Sequence, residues 1–372
     1  MVKRVIVLCI DGCGPEYLQS SKVTFIERLG KKGCFLTGNS IIPSVTNVNV
    51  VSIITGKYPK EHGITTNYYF ERETGRTVYM ETSHFIKTST LLEKGTKIGL
   101  KTGLLTSKDK LRTLLNRGAE ISFSAENPPA WIKKQLSIPP PIYSIDVNIW
   151  LIKALRETIL KEDLTLTFAV TTDYAMHKYP PKAEESKRHM EGIDSELGKT
   201  VEILERQGDE VLVCITADHG MSKKERAINL ETVLKTHNVS ATMNPIIADR
   251  YVVHHRNLGG AAYIYLHNIE DDQKCLKILE NTEGVELILS RNQASTIFCL
   301  DKMRIGDFLV LGKKNYVFGL VEHEMVDVSL RSHGSMHEQK VPIIMNLPKF
   351  KPLGQLSKNK DLASHIMSWC TD

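Results

Sequence analysis

Asp218 and His219 stand side by side after the apolar run Val211–Ala217, with Gly220 next. Packing explains adjacent charged and imidazole side chains poorly at the end of a buried strand. Both are ligand types that suit zinc, and a chelating loop needs glycine where backbones approach closely. Three further motifs sit at the same kind of place. Asp11 follows the apolar run Val5–Ile10. Asp173 and His177 follow Leu164–Val170 at a four-residue spacing, which on a helix puts both on one face. His333 lies in Arg331-Ser-His333-Gly334, just before the apolar Val341–Met345. Each motif alone has a bland reading as a cap, a turn or a satisfied histidine. Together Asp11, Asp173, His177, Asp218, His219 and His333 make a donor set of carboxylates and imidazoles. One zinc takes about three or four protein ligands, so the set points to two divalent metals, each with an open position. Such a pair clamps the attacking and leaving atoms of an in-line displacement. Zn²⁺ suits these donors, with Mn²⁺ and Fe²⁺ as alternatives.

A nucleophile fits Ile42-Pro-Ser-Val-Thr46, ahead of the apolar Val50–Ile54. Thr46 reads as the start of a helix, where threonine is a routine cap. A helix N-terminus also favours an anion, so the Thr46 hydroxyl and N–H could face a phosphoryl group.

Those residues need elements to bring them together. Val5–Ile10, Lys97–Leu105, Leu164–Val170 and Val211–Ala217 read as buried strands, with helical patterns at Ile145–Leu160 and Ser186–Leu204. Strand–helix alternation predicts an α/β fold with a mainly parallel sheet flanked by helices, whose functional residues gather at the carboxyl ends of strands. After about Ile228 strands dominate: Tyr251–His254, Ala261–Leu266, Val285–Leu289, Thr296–Leu300, Asp307–Leu311 and Tyr316–Val321, interrupted by a helix at Asp271–Glu280. Val341–Met345 then returns as a strand and Asp361–Trp369 as a helix. The expected organisation is a core of residues 1–227 and 330–372 with a small α+β cap, residues 228–329, inserted between.

The chain has 372 residues, 41% hydrophobic and 24% charged, as in an ordinary globular protein. Its formal charge of +5 is small and dispersed, which suits a small anionic substrate and argues against nucleic acid. No apolar stretch approaches a membrane span, so no membrane partner is expected. Seven cysteines without a close pair predict reduced thiols, hence a cytoplasmic protein, and leave His and carboxylate as the only metal ligands. Oligomeric state is left open, a homodimer included.

The order of these motifs, with Thr55-Gly-Lys-Tyr-Pro-Lys-Glu-His-Gly63 after Thr46, resembles the alkaline phosphatase superfamily, and within it the nucleotide pyrophosphatase/phosphodiesterase branch. The resemblance implies one metal held by Asp173, His177 and His333 and another by Asp11, Asp218 and His219, with Thr46 as reactive ligand and a phospho-threonine intermediate. It also implies that Asn67 binds phosphate. Thr106-Ser-Lys108-Asp-Lys110, Thr65-Thr-Asn67-Tyr-Tyr-Phe70 and Tyr251-Val-Val-His-His255 are similar to segments of the phosphonoacetate hydrolases. That similarity assigns Lys108 and Lys110 to a substrate carboxylate and gives C–P cleavage of phosphonoacetate as the expected reaction. The alternative is a phosphodiesterase, nucleotide pyrophosphatase or phosphomonoesterase on the same metals, for which Tyr68, Tyr69 and Phe70 are candidates to stack a base. His254 and His255 receive no role beyond shielding of the site.

Overall fold

The computed structural model describes residues 1–347 and 356–371; of the expected core segment 330–372, residues 348–355 and 372 lie outside it. A seven-stranded sheet runs in the order Cys34–Asn39, Lys340–Met345, Glu210–Thr216, Lys3–Cys9, Leu166–Val170, Thr102–Thr106, Ile121–Ser124. The last five are mutually parallel. Lys340–Met345 runs antiparallel to both of its neighbours. The fold is therefore α/β with a mainly parallel sheet, as expected.

Lys3–Cys9 is buried on both faces because helices cover both. Ile6 and Leu8 join the cluster built with Trp150, Leu151, Ile193 and Leu197. Val5, Val7 and Cys9 point the other way, into the cluster with Val51, Ile54, Leu92 and Leu362. The period of two along the strand is thus resolved into two cores. The helix Glu184–Arg206 buries Met190, Ile193, Leu197, Val201 and Leu204, a stripe at helical spacing, and exposes most of its charges, Asp194 and Glu196 excepted. The helix Asp146–Glu162 packs beside it.

Beyond Gly220 two smaller sheets form. Ser222–Ile228 lies between Tyr316–Phe318 and Met325–Ser332. Ala241–Pro245, Ala261–Leu266, Phe308–Gly312 and Val285–Ser290 make a four-stranded antiparallel sheet. One segment expected as a strand, Tyr251–His254, is largely helical, and another, Thr296–Leu300, forms no strand: its first two residues end a helix and the rest is irregular. Val252–His255 is a helical turn, begun where the Tyr251 N–H donates to the Asp249 carboxylate at 2.8 Å. Arg291–Ile297 is a helix because Ser290 and Gln293 close a capping box at its start. Both local hydrogen-bond sets outweigh the β-branched composition that suggested strands. Among the described residues no helix is long and apolar enough to cross a membrane.

Candidate active site

Four strand ends meet at one rim of the large sheet. Asp11 follows Lys3–Cys9, Asp173 follows Leu166–Val170, Asp218 and His219 follow Glu210–Thr216, and Lys108 follows Thr102–Thr106. Parallel strands in register bring their ends together, so residues 206 positions apart in sequence converge: Ile10 donates to the carbonyl of Thr216, and the Gly12 N–H to Asp218 Oδ1 at 3.0 Å. Gly12 has φ +74°, and a Cβ there would stand 3.2 Å from the Cβ atoms of Asp173 and Met176. Only glycine fits that turn without strain.

Asp218 Oδ1 also accepts from the His219 N–H, which leaves Oδ2 without a hydrogen-bond partner. Both oxygens of fully buried Asp11 are likewise without one. Burial raises the Asp11 pKa well above the carboxylate range, and the charges of Asp173 and Asp218 add to that. Asp173 is also buried, but Lys108 and His177 hold its pKa well below the usual range. Asp218 is lowered too, its burial outweighed by His219. Packed carboxylates with bare oxygens are costly unless a cation sits among them.

The histidines answer that need in one way. His177 donates its Nδ1–H to the carbonyl of Arg331 at 2.6 Å, His219 to that of Gly220 at 3.0 Å and His333 to that of Ser44 at 2.8 Å. A carbonyl only accepts, so the Nδ1 proton of each ring is spent there and Nε2 faces the inner side. This is how proteins orient metal-binding imidazoles. His177 Nε2 lies 2.9 Å from Asp173 Oδ2 and His333 Nε2 3.8 Å from the same oxygen. His219 Nε2 lies 3.2 Å from Asp218 and 3.6 Å from Asp11.

Three clusters have ligand atoms within 4.8 Å of one another: Asp11 with Asp218 and His219, Asp173 with His219 and His333, and Asp173 with His177 and His254. Asp173 therefore faces both groups of histidines. The donor set fits divalent cations on two counts, bare buried carboxylate oxygens and inward-facing Nε2 atoms.

Thr46 opens the helix Thr46–Thr55, after a cis Ile42–Pro43 peptide. Its Oγ1 lies 3.2 Å from His219 Nε2, to which the hydroxyl donates. The first amides of a helix have no carbonyl within it to reach. Asn67 is buried, and its Oδ1 has no hydrogen-bond partner. Thr46, Asn67, Lys108, Lys110 and Asp173 border one narrow cleft, with about 20 Å³ of free space. A wider surface cleft among Lys32, Asp209 and Trp369 has no histidine in its lining.

Lys108 and Lys110 are buried, at the start of the helix Asp109–Leu115. Lys108 Nζ lies 2.8 Å from Asp173 Oδ1; burial opposes its charge, yet Asp173 and Asp11 raise its pKa. Lys110 Nζ lies 2.9 Å from Asp249 Oδ2. Sequence reasoning missed Asp249, whose loop carries no motif. It also missed how near His254 comes: Nε2 is 3.4 Å from Asp173 Oδ1, and neither ring nitrogen makes a hydrogen bond. Glu338 was missed as well. Its carboxylate pairs with Lys224 at 2.9 Å, and its carbonyl takes the Gly220 N–H at 2.7 Å, so it props the Asp218–Gly220 loop. The Ser335-x-x-Glu338 capping pattern was the available signal.

A family model for type I phosphodiesterase / nucleotide pyrophosphatase matches residues 5–337. The bis(5'-adenosyl)-triphosphatase ENPP4 of Bos taurus is 24% identical over 241 residues, 62% of this chain and 51% of that protein. Its Mus musculus counterpart is 25% identical over 280 residues, 66% of this chain and 54% of that protein. The chain thus spans about half the length of the curated relatives it matches. Phosphonoacetate hydrolase from Sinorhizobium meliloti 1021, solved in complex with phosphonoacetate, superposes with a TM-score of 0.87 at 30% identity, over 98% of this chain and 95% of that one. Murine ectonucleotide pyrophosphatase / phosphodiesterase 5, at 15% identity and a TM-score of 0.72 over 99% and 95% of the two chains, shares the fold.

Proposed function

Because this chain belongs to the type I phosphodiesterase / nucleotide pyrophosphatase family of hydrolases, in the alkaline phosphatase superfamily, we propose that it cleaves the C–P bond of phosphonoacetate to acetate and phosphate. The observation that carries this reading is the pair of buried ammonium groups, Lys108 and Lys110, on the cleft that also holds Thr46 and Asn67. The similarity to the Sinorhizobium meliloti enzyme over nearly the whole of both chains supports it.

Asp11, Asp218, His219 and Thr46 would hold one divalent cation, and Asp173, His177 and His333 another, with Zn²⁺ the first choice for these donors and Mn²⁺ or Fe²⁺ the alternatives. When bound, the cations supply Lewis-acid stabilisation of the phosphoryl oxygens and of the ionised threonine. Thr46 Oγ attacks phosphorus. The Oγ–P bond forms, the C–P bond breaks, and its electron pair goes to the acetate carbon, which takes up one proton for the one that Thr46 gives up. Water then releases phosphate from the phospho-threonine and restores Thr46. Asn67 and the Thr46 N–H orient the phosphoryl oxygens. Lys108 and Lys110 hold the carboxylate, into which the leaving carbon's charge spreads, so they bind the transition state more tightly than the ground state. The segment proposed as a cap, residues 228–329, closes the cleft from above through Asp249 and His255, which border it. Seven unpaired cysteines support a reducing, cytoplasmic setting.

The alternative, hydrolysis of nucleotide or other phosphate esters, draws on the ENPP4 likeness. It needs an aromatic face for a base. Tyr68 instead stacks on Tyr79, 5.3 Å between centroids, and Phe70 packs edge-on against Tyr265. That packing supports the smaller substrate.

The test is phosphate release from phosphonoacetate against p-nitrophenyl ester hydrolysis, on metal-loaded protein. Lys110→Ala should lower the ratio of the two rates by about 10²-fold, the size of a lost transition-state donor. An undiminished ratio rules the carboxylate clamp out. Lys108→Ala should act in the same direction, with metal content measured because Lys108 also pairs with Asp173.

A further inference from the structure

Under the reading above, Lys110 must receive the substrate's carboxylate. In the structure it already holds one. Asp249 Oδ2 lies 2.9 Å from Lys110 Nζ, and the two side chains are 11% and 4% exposed. The other oxygen, Oδ1, accepts from the Tyr251 N–H at 2.8 Å and lies 3.1 Å from His255 Nε2. His255 Nδ1 accepts from the Asn257 N–H at 3.0 Å, so the ring's proton sits on Nε2 and is donated to Asp249. The Asp249 N–H in turn donates to Asn257 Oδ1 at 3.1 Å. A loop, a helical turn and a histidine therefore aim this carboxylate at the ammonium. The remaining carboxylate near Lys110, Glu81, is farther at 3.5 Å and 36% exposed.

A buried ammonium is costly without a counter-ion, and two carboxylates on one ammonium repel each other. An incoming carboxylate must share Lys110 with Asp249 or push it aside. We propose that Asp249 is a specificity-determining residue, an internal carboxylate that competes with the ligand's carboxylate for Lys110. It keeps Lys110 paired between turnovers, weakens the hold on a carboxylate-bearing ligand, and retakes the ammonium as the carboxylate product leaves. This inference rests on the reading that the cleft binds phosphonate with its carboxylate towards Lys110.

The experiment compares phosphonoformate, which carries a carboxylate, with inorganic phosphate, which does not, by calorimetric binding to the metal-loaded full chain. Asp249→Asn keeps the shape and removes the competing charge. The affinity ratio of phosphonoformate to phosphate should rise about tenfold, the scale of one charged contact. In a Lys110→Ala background the same substitution should leave that ratio flat. A flat or falling ratio in the single variant overturns the proposal, and so does an equal rise without Lys110. Should Asp249→Asn not fold, Asp249→Ser gives the same readout. Failure of the C–P reading registers separately, as absence of phosphate release from phosphonoacetate by the unaltered enzyme, while the binding ratio still reports on Asp249.

Discussion

The imidazole of His219 lies face to face with that of His333, 3.5 Å between ring centroids and 10° from parallel. Two rings so close repel if both are protonated. Burial, then the neighbouring His219 and His177, hold the His333 pKa well below its ordinary value. His333 therefore stands at the cleft as a neutral imidazole, while its Nδ1–H is spent on the Ser44 carbonyl.

The lowered pKa values of His177 and His333, with the bare carboxylates beside them, should make the folded chain a better metal binder than the unfolded one. Chelation should lower the melting temperature, and Zn²⁺ or Mn²⁺ should restore it. At a thousandfold excess over Kd one site adds about 4 kcal/mol. Differential scanning fluorimetry with and without chelator reads this. A melting temperature indifferent to both would contradict the metal assignment.

Asp11 should show opposite signs with and without metal. Its buried charge faces Asp173 and Asp218, so Asp11→Asn removes repulsion and should stabilise the metal-free protein by about 1–3 kcal/mol. The same change should weaken metal binding at least tenfold, comparable to losing a supporting ligand contact. Urea unfolding in chelator, paired with metal titration, separates the two effects.

Thr46→Ala should leave the fold intact and reduce turnover by about 10³-fold or more, since the nucleophile is gone. Thr46→Ser keeps a hydroxyl and should retain a measurable fraction. Trapping of labelled phosphate on the protein by acid quench should succeed for the unaltered enzyme and fail for Thr46→Ala.

Glu338 and Lys224 form an ion pair with both side chains fully buried. Breaking it with Glu338→Ala should cost about 3–5 kcal/mol, because Lys224 is left charged and unpaired. Burial alone would raise the Glu338 pKa; Lys224 and the Ser222 and Ser335 hydroxyls hold it lower. A lowered carboxylate pKa contributes stability above the unfolded value, about 4.3, and loses it as pH falls through the folded value. Acid unfolding of the unaltered protein should therefore steepen below about pH 4.3, and the variant should lack that component.

Much of this site was legible because its residues break a pattern. Asp218 and His219 interrupt an apolar run where nothing about packing wants them, and Asp11 and Asp173 do the same at neighbouring strand ends. Parallel pairing then does the rest, since strand ends in register share one rim. Asp249 was not legible, because its meaning lies in a partner 139 positions away, and no local period marks a loop carboxylate. Tyr251–His254 misled for a related reason. Val-Val favours a strand, but the Asp249 carboxylate starts a turn there, and side-chain-to-backbone bonds of that kind override propensity over so few residues. Glu338 could have been suspected from its capping pattern, though not that Lys224 would be buried against it.

His333 and Glu338 reach the rim only after the chain has passed through both smaller sheets, and Lys340–Met345 enters the large sheet next to Glu210–Thr216. During synthesis the first two-thirds of the polypeptide thus emerges with Asp11, Asp173 and Asp218 in place but without the ring and the prop that finish the cage. If the site is a metal cage, a ribosome-tethered intermediate of this protein would be a half-built trap for cations. On the proposed reading, its full grip, and with it the ability to act on phosphorus, would come only when the late strand slots in.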